Sequence, residues 1–431
     1  MLTQLRGLAL QVRSALWFRP TVASVTAAGV AWGIAGVDGA LPAGIAIPSV
    51  DPELVKELLT LLASAMLTVT TVTLSALMVV LNMAVTQASP RALPGLMADE
   101  VTQNALSTFV ATFVFALFGL VGLGLALYDR SGLTVLFGTG VVLTVLALRY
   151  LVHWMHHIAG TLRLGNIVVR VQHDTNEALD RFLENPLLGA KAAPERDSPP
   201  EGARLLACRR SAYLCSIDTQ ELQAQAARHD LRIELLGRPG DFMHPHRSAL
   251  ALMPGTAPLS DKDIEALLDC LLLGEERSYH QDPLLGLQIL GEIGSRALSP
   301  GINDPKTAII CLDRLEALLC RAAQPPVAKS EEAEACDRLS LPALGFDKML
   351  DRALHSLARD GAKSVEVVLR QISALERIGL AATDPAVPSV LLASLEMTVD
   401  FAEAALALES DRAQIRKAAT RVRRRLNGNS A

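Results

Sequence analysis

Long unbroken runs of apolar residues crowd the first third of the chain, and charge is concentrated after them. A helix crossing a bilayer needs roughly 20 mostly apolar residues. Four stretches reach that length: about Trp17–Val37, Leu54–Val85, Ala105–Tyr128 and Leu133–Trp154. Asp38, Asp51 and Glu53 mark the first gap, and Arg91, Asp99 and Glu100 the second. Asp129 and Arg130 leave room only for a tight turn, so spans three and four form a hairpin. Nearly all Lys, Arg, Asp and Glu follow His153, so the two parts face different solvents. The predicted fold class is predominantly α, with a four-helix transmembrane region over residues 1–158 and a cytoplasmic α+β region after it.

The start resembles a signal peptide, with Arg6, Arg13 and Arg19 before an apolar run. Three more spans follow, so it reads as an uncleaved signal-anchor. With four spans, Arg6, Arg13, Arg19, Arg91, Arg149, Arg163 and Arg170 share one side, against Lys56 and Arg130 on the other. The positive-inside bias then places both termini and the charged region in the cytoplasm. Trp17, Trp32, Tyr128, Tyr150 and Trp154 fall near span ends, as interfacial aromatics do.

Span two carries a polar stripe: Thr60, Ser64, Thr68, Thr71, Ser75 and Asn82, extending to Thr86. Steps of three, four or seven put them on one helical face, with Thr70 and Thr73 off it. The stripe has two readings. It lines a water-filled path, or it is a close-packing face whose hydroxyls bond their own backbone. At the end of span four, His153, His156 and His157 have metal-compatible spacing. No carboxylate or Cys is in register with them, so they read as interfacial polar tips and no metal is predicted.

The charged half opens with a helix over about Gly160–Glu184, continuing out of span four, and a linker to Gly202. Residues 203–256 read as a small β-rich module, with runs Leu205–Cys208, Tyr213–Ile217, Leu231–Leu235 and Ala249–Met253 and a helix over Thr219–Arg228. Its layout resembles half of a barrel-sandwich hairpin, without a lysine at the turn; His244 and His246 there read as surface. Residues 257–321 read as helical. Ser260 with Asp263, Asp282 before Pro283, and Asp304 before Pro305 mark three helix starts. Residues 322–342 read as a second linker, and 343–431 as two or three further helices. The last helix carries Arg412, Arg416, Lys417, Arg421, Arg423, Arg424 and Arg425, a solvated face or a contact for anionic lipid. Six Cys without C-x-x-C spacing read as scattered reduced thiols, which suits the cytoplasm.

The stretch "RSYHQDPLLGLQILGEIGSRALSPGINDPKTA", from Arg277 to Ala308, resembles a family of bacterial predicted membrane proteins catalogued as domain of unknown function 2254. Three further segments agree: "VLNMAVTQASPRALPGLMADEVTQNALSTFVATFVFAL", "HHIAGTLRLGNIV" and "SAYLCSIDTQELQAQAARHDLRIELLGRPGDF". The chain departs at "HPHRSAL" after Met243, where that family more often has a glycine and then "PL". The resemblance implies architecture and a bacterial inner-membrane location, and it brings no activity with it.

The best candidate site is the polar cluster of Arg277, Gln281, Asp282, Glu292, Arg296, Asn303, Asp304 and Thr307. Asp304 at a helix start could pair with Arg277 or Arg296, making an anion pocket or an ion-pair network that fixes the helices. No H-E-x-x-H, G-x-S-x-G, P-loop or dinucleotide fingerprint occurs, so neither catalysis nor a cofactor is expected. A net charge of −5 gives no support for nucleic-acid binding. The functional expectation is an oligomeric channel or channel-like permease in the lipid bilayer, lined by Thr68, Thr71, Ser75 and Asn82, with a cytoplasmic regulatory domain. Four spans rarely enclose a pore, so this needs a homo-oligomer. The alternative is a non-conducting, membrane-anchored sensor or scaffold whose cytoplasmic domain binds a ligand or partner.

Overall fold

The computed structural model describes residues 17–36, 50–87, 100–161, 164–196, 198–254, 258–324 and 336–428. Arg6, Arg13, Asp38, Arg91, Asp99 and Arg163 lie outside them, as does the side chain of Thr86. The chain divides into two units, residues 1–166 and 167–431.

The first unit contains α1 (Phe18–Ile34), α2 (Pro52–Gln87), α3 (Glu100–Gly124) and α4 (Arg130–Thr161). Local chemistry sets the starts. The Asp51 carboxylate accepts the Glu53 N–H at 3.0 Å ahead of Pro52, and the Asp129 carboxylate accepts the Gly132 N–H at 2.7 Å. Among the described residues, three helices are long and apolar enough to cross a membrane: Pro52–Asn82, Glu100–Gly124 and Arg130–Ile158. The expected first span is the exception. Its 17 described residues rise about 25 Å, short of a hydrocarbon core of roughly 30 Å. The α3–α4 hairpin forms as expected, through the five residues 125–129.

Within this unit α3 packs against α1, α2 and α4. Arg19, at the start of α1, donates to Asn104 at 3.0 Å and to Glu100 at 2.8 Å, at the start of α3. The Tyr128 hydroxyl, just past α3, donates to the Ala31 carbonyl at 2.9 Å near the end of α1. The two helices therefore run parallel. One core holds Ile34, Val55, Leu59, Phe115 and Leu136; a second holds Met66, Ala105, Phe109, Ala147 and Trp154.

The second unit begins within α5 (Leu164–Glu184), followed by β1 (Ala190–Ala192), β2 (Arg204–Ala207), β3 (Ala212–Ile217), α6 (Thr219–Arg228), β4 (Arg232–Leu235), β5 (Phe242–Met243), β6 (Ser248–Met253), α7 (Asp261–Asp269) and β7 (Leu271–Gly274). Then come α8 (Leu284–Ala297), α9 (Pro305–Ala322), β8 (Cys336–Leu341), α10 (Phe346–Asp360), α11 (Val365–Ala381), α12 (Val387–Ala405) and α13 (Glu409–Gly428). A five-stranded sheet has the order β1-β8-β4-β6-β2, and a three-stranded sheet β5-β3-β7. β8 runs parallel to β1 and β4, and β6 antiparallel to β4 and β2. Leu222 and Ala226 of α6 and Leu267 of α7 close the core over Ile233, Leu250, Leu252, Leu339 and Leu341.

Four sequence expectations change here, the first being that residues 257–321, read as helical, also contribute the strand β7, which pairs with β3. Both stretches read as linkers contribute strands, β1 from the first and β8 from the second. β3 does pair antiparallel with β5, which follows the Arg238–Asp241 turn, but α6 and β4 separate them in sequence and β4 belongs to the other sheet, so the pair is not a barrel-sandwich hairpin. Among the described residues the C-terminal region holds four helices rather than two or three.

Candidate functional site

On α2, the buried positions Val55, Leu59, Leu62, Met66, Thr73, Leu77 and Val80 form one face. At about 100° per residue, Thr60, Ser64, Thr68, Thr71, Ser75 and Asn82 centre on the opposite face, and all six are exposed. The hydroxyl protons of the stripe are used locally. Thr60 donates to the Lys56 carbonyl at 2.8 Å, and Ser64 to that of Leu61 at 3.0 Å. Thr68, Thr71 and Ser75 donate to Ser64, Leu67 and Thr71, each at 2.9 Å. Oxygen lone pairs face outward while the donors are satisfied. Thr73, expected off the stripe, is buried at 1% exposure.

The soluble polar cluster divides between the two ends of α8. Asp282 and Arg296 are fourteen residues apart in sequence, and that helical rise separates them by about 21 Å. At the first end, Arg277 Nε donates to Asp282 Oδ2 at 2.7 Å, with Nη2 also 2.7 Å away. Arg277 Nη1 donates to Gln288 Oε1 at 2.7 Å, and Gln288 Nε2 to Glu292 Oε1 at 2.9 Å. Asp282 Oδ1 accepts the Leu284 N–H at 3.1 Å, so the carboxylate also caps α8. The pair is buried, with side-chain exposures of 15% for Arg277 and 2% for Asp282. Burial pushes the Asp282 carboxyl up, against the pull of Arg277. Gln281 turns away to bracket β3, accepting the Ile217 N–H at 2.8 Å and donating to its carbonyl at 3.2 Å.

At the far end, Asp304 is a local cap and not an ion-pair partner of Arg277. It accepts the Thr307 N–H at 3.2 Å and the Thr307 hydroxyl at 2.6 Å. Those bonds, the hydroxyl first, hold its carboxyl below the ordinary range. Asn303 takes the left-handed φ of 49° that begins the turn into α9. Arg296 lies in the last turn of α8, where a cation complements the helix dipole.

The residue missing from the expected cluster is Arg238. Burial lowers its guanidinium to about 10. Nη2 donates to the Pro186 carbonyl at 2.9 Å, Nη1 donates to that of Pro342, and the group stands over the Phe182 ring at 5.9 Å. It thus binds the ends of both stretches read as linkers. Two residues on, Gly240 has φ +100°, and a Cβ there would lie 2.5 Å from Asp282 Oδ2. The Arg238–Asp241 turn is therefore pressed against the Arg277–Asp282 pair. The signal was present in "RPGD", a turn whose glycine admits a left-handed backbone. From α5, Arg181 donates to the Tyr279 and His280 carbonyls at 3.2 and 3.1 Å. The arrangement locks the loop before α8 to β3, to the Arg238 turn and to α5.

The other candidates resolve simply. His153 and His156 are exposed and His157 half-buried. No metal-compatible group of three or more His, Cys, Asp or Glu occurs among the described residues. The His244 and His246 rings stand 6.2 Å apart in a turn. All six thiols are unpaired, and burial pushes Cys270 and Cys311 up to about 12. The basic last helix is largely ion-paired: Arg416 to Glu403 and Glu409, Arg423 to Glu396, and Arg421 and Arg425 to Glu376.

Three apolar helices of crossing length, joined in sequence to a mixed α/β unit, are the make-up of a membrane protein with a large extramembrane part. The chain belongs to the predicted membrane protein family DUF2254, which matches residues 13–377. Uncharacterized proteins of Mycobacterium bovis and of Mycobacterium tuberculosis strain H37Rv are each 26% identical to it, over 98% of this chain and 82% of theirs. No solved structure matches the chain.

Proposed function

We propose that the protein is a channel-like permease that assembles in the bacterial inner membrane as a homo-oligomer around α2. The observation that carries this reading is the position of the hydroxyl face, opposite the face α2 buries within its own chain. A second copy of the face would bring Thr68, Thr71, Ser75 and Asn82 together on an axis, where their outward lone pairs can replace part of a solute's hydration. In this reading α1 also crosses, because it is tied to α3 through Arg19 at one end and Ala31 at the other. Four crossings place both termini on the side rich in Arg, the cytoplasm. The extramembrane part then acts as the regulatory domain.

A second reading has its own support. The hydroxyl donors already bond to the helix backbone, and such a face suits dry helix packing as well as a wet path. The protein would then be an anchored sensor or scaffold. Flux of ions and small solutes from liposomes holding the purified protein separates the two. Under the first reading, Thr71→Leu with Ser75→Leu lowers flux while the protein elutes unchanged. Flux no greater than from empty liposomes, with the oligomer intact, assigns the face to packing.

A further inference from the structure

α4 carries a second unassigned stripe at its C-terminal end. Arg149, His153 and His156 are separated by steps of four and three, so they fall within about 60° of one another around the helix. All three are exposed, and they are flanked by exposed Val145, Leu148, Val152 and Met155. The stripe therefore borders the outward apolar surface of the bundle. α4 opens at Arg130, and about 20 residues carry a helix through a hydrocarbon core of roughly 30 Å. That count brings the chain out near Tyr150. Arg149 stands at the boundary, and His153 lies about 6 Å further along the helix, at headgroup depth.

A guanidinium at that boundary loses hydration and needs an anion or a route to water. The Arg149 guanidinium stands over the Tyr150 ring at 5.8 Å. Among the described residues no carboxylate pairs with Arg149, His153 or His156, and Glu100, at the matching end of α3, is taken by Arg19 at 2.8 Å. A planar guanidinium fork matches a phosphodiester, and two imidazoles add N–H donors.

We infer that Arg149, His153 and His156 form a headgroup site for an anionic phospholipid on the outward face of α4. The site needs α4 to cross the membrane; it does not need conduction. The lipid's acyl chains lie along Val145, Leu148 and Val152 while its phosphate meets Arg149.

The test uses the full chain in nanodiscs of mixed phosphatidylcholine and phosphatidylglycerol, with the retained lipid counted by native mass spectrometry after release. Wild type is expected to retain phosphatidylglycerol in excess of its share. Each cation near an anionic surface strengthens binding roughly fivefold, so Arg149→Gln should lower the excess by about that factor. Adding His153→Gln and His156→Gln should abolish it. Arg149→Lys, which keeps the charge without the fork, should retain more of it than Arg149→Gln, and Arg130→Gln, at the other end of α4, should leave it unchanged. The Arg149 single variant carries the test if the triple variant does not fold. An excess equal in wild type and Arg149→Gln overturns the site. So does an unchanged excess accompanied by a changed oligomeric state, which would assign the stripe to contact between copies.

Discussion

Removing Asp282 tests whether the Arg277 centre holds the second unit together. Asp282→Ala leaves a guanidinium with 15% exposure bound only to Gln288. Orphaning one member of a buried pair costs about 3–5 kcal/mol. For a unit of this size each kcal/mol moves the melting temperature by roughly 2–4 °C, so a fall of about 10 °C is expected. All six thiols lie between Cys208 and Cys336, five of them buried. A maleimide dye that fluoresces on thiol exposure therefore reports unfolding of this unit in the full chain. The double change Arg277→Met with Asp282→Leu should cost much less than Asp282→Ala, because desolvation already outweighs the attraction of Arg277 for the carboxylate. Arg277→Ala adds a pH signature. The raised carboxyl of Asp282 rises further without its cation. A raised folded pKa means that stability is lost as pH climbs through that value, so Arg277→Ala should be closer to wild type at about pH 5 than at about pH 8. Asp282→Ala removes the carboxyl whose folded value is raised in the wild type, so its cost should shrink, not grow, as pH climbs through that value. A fall of under about 2 °C for Asp282→Ala, or equal costs for the single and double changes, refutes this account of the centre.

Gly286→Ala should destabilise the same unit by about 1–3 kcal/mol, since the added Cβ would lie 1.8 Å from Thr175 Oγ1 on α5. Thr175→Ala in the same chain should recover part of the loss in the thiol-exposure melt, since its own Cβ would still lie 2.7 Å from the added one, and no recovery would place the strain elsewhere. Asp304→Ala should cost about 1 kcal/mol as the loss of a helix cap, with Asp304→Asn close to wild type. Because the Asp304 carboxyl is held low, its contribution is present at neutral pH and lost as pH falls through that lowered value. A cost for Asp304→Ala that is the same in acid as at neutral pH would count against the cap.

Local signals were enough for much of the helical framework. The Ser260–Asp263 capping box forms with both bonds, and Asp304 with Pro305 starts α9 where the spacing puts it. The Asp282–Pro283 start holds through the bond to the Leu284 N–H, with regular helix beginning one residue later. β8 was not legible for a reason of distance. Its run Cys336–Leu341 is short and follows a charged stretch, and its partners Ala190–Ala192 and Ile233–Glu234 lie about a hundred residues or more away in sequence. A strand whose neighbours come from across such a gap shows only the alternation of Cys336, Leu339 and Leu341, all buried. The glycines of "GLQILGEIG" are explained only by packing. A Cβ on Gly286, Gly291 or Gly294 would meet Thr175 of α5, Ala353 of α10 or Leu357 of α10 respectively, so α8 is enclosed by close neighbours.

The two candidate sites differ in what periodicity can say. On α2, helical spacing fixed which residues share a face, and the structure adds that this face is the one the chain leaves uncovered. Periodicity relates residues within one element, so it ranks a stripe well. Around α8 the polar residues come from a loop, a helix and a second turn, and nearness in sequence was a poor guide. Arg277 and Asp304 flank α8 and lie at opposite ends of it. Arg238, about forty positions before Arg277, lies close enough for the Asp282 charge to oppose the lowering of its guanidinium. The group that completes a buried charge centre is selected by the fold, because desolvation makes an unpaired charge too costly to leave in place. A half-buried Arg at a Pro-Gly turn is therefore a better guide to such a centre than another charge in the same motif.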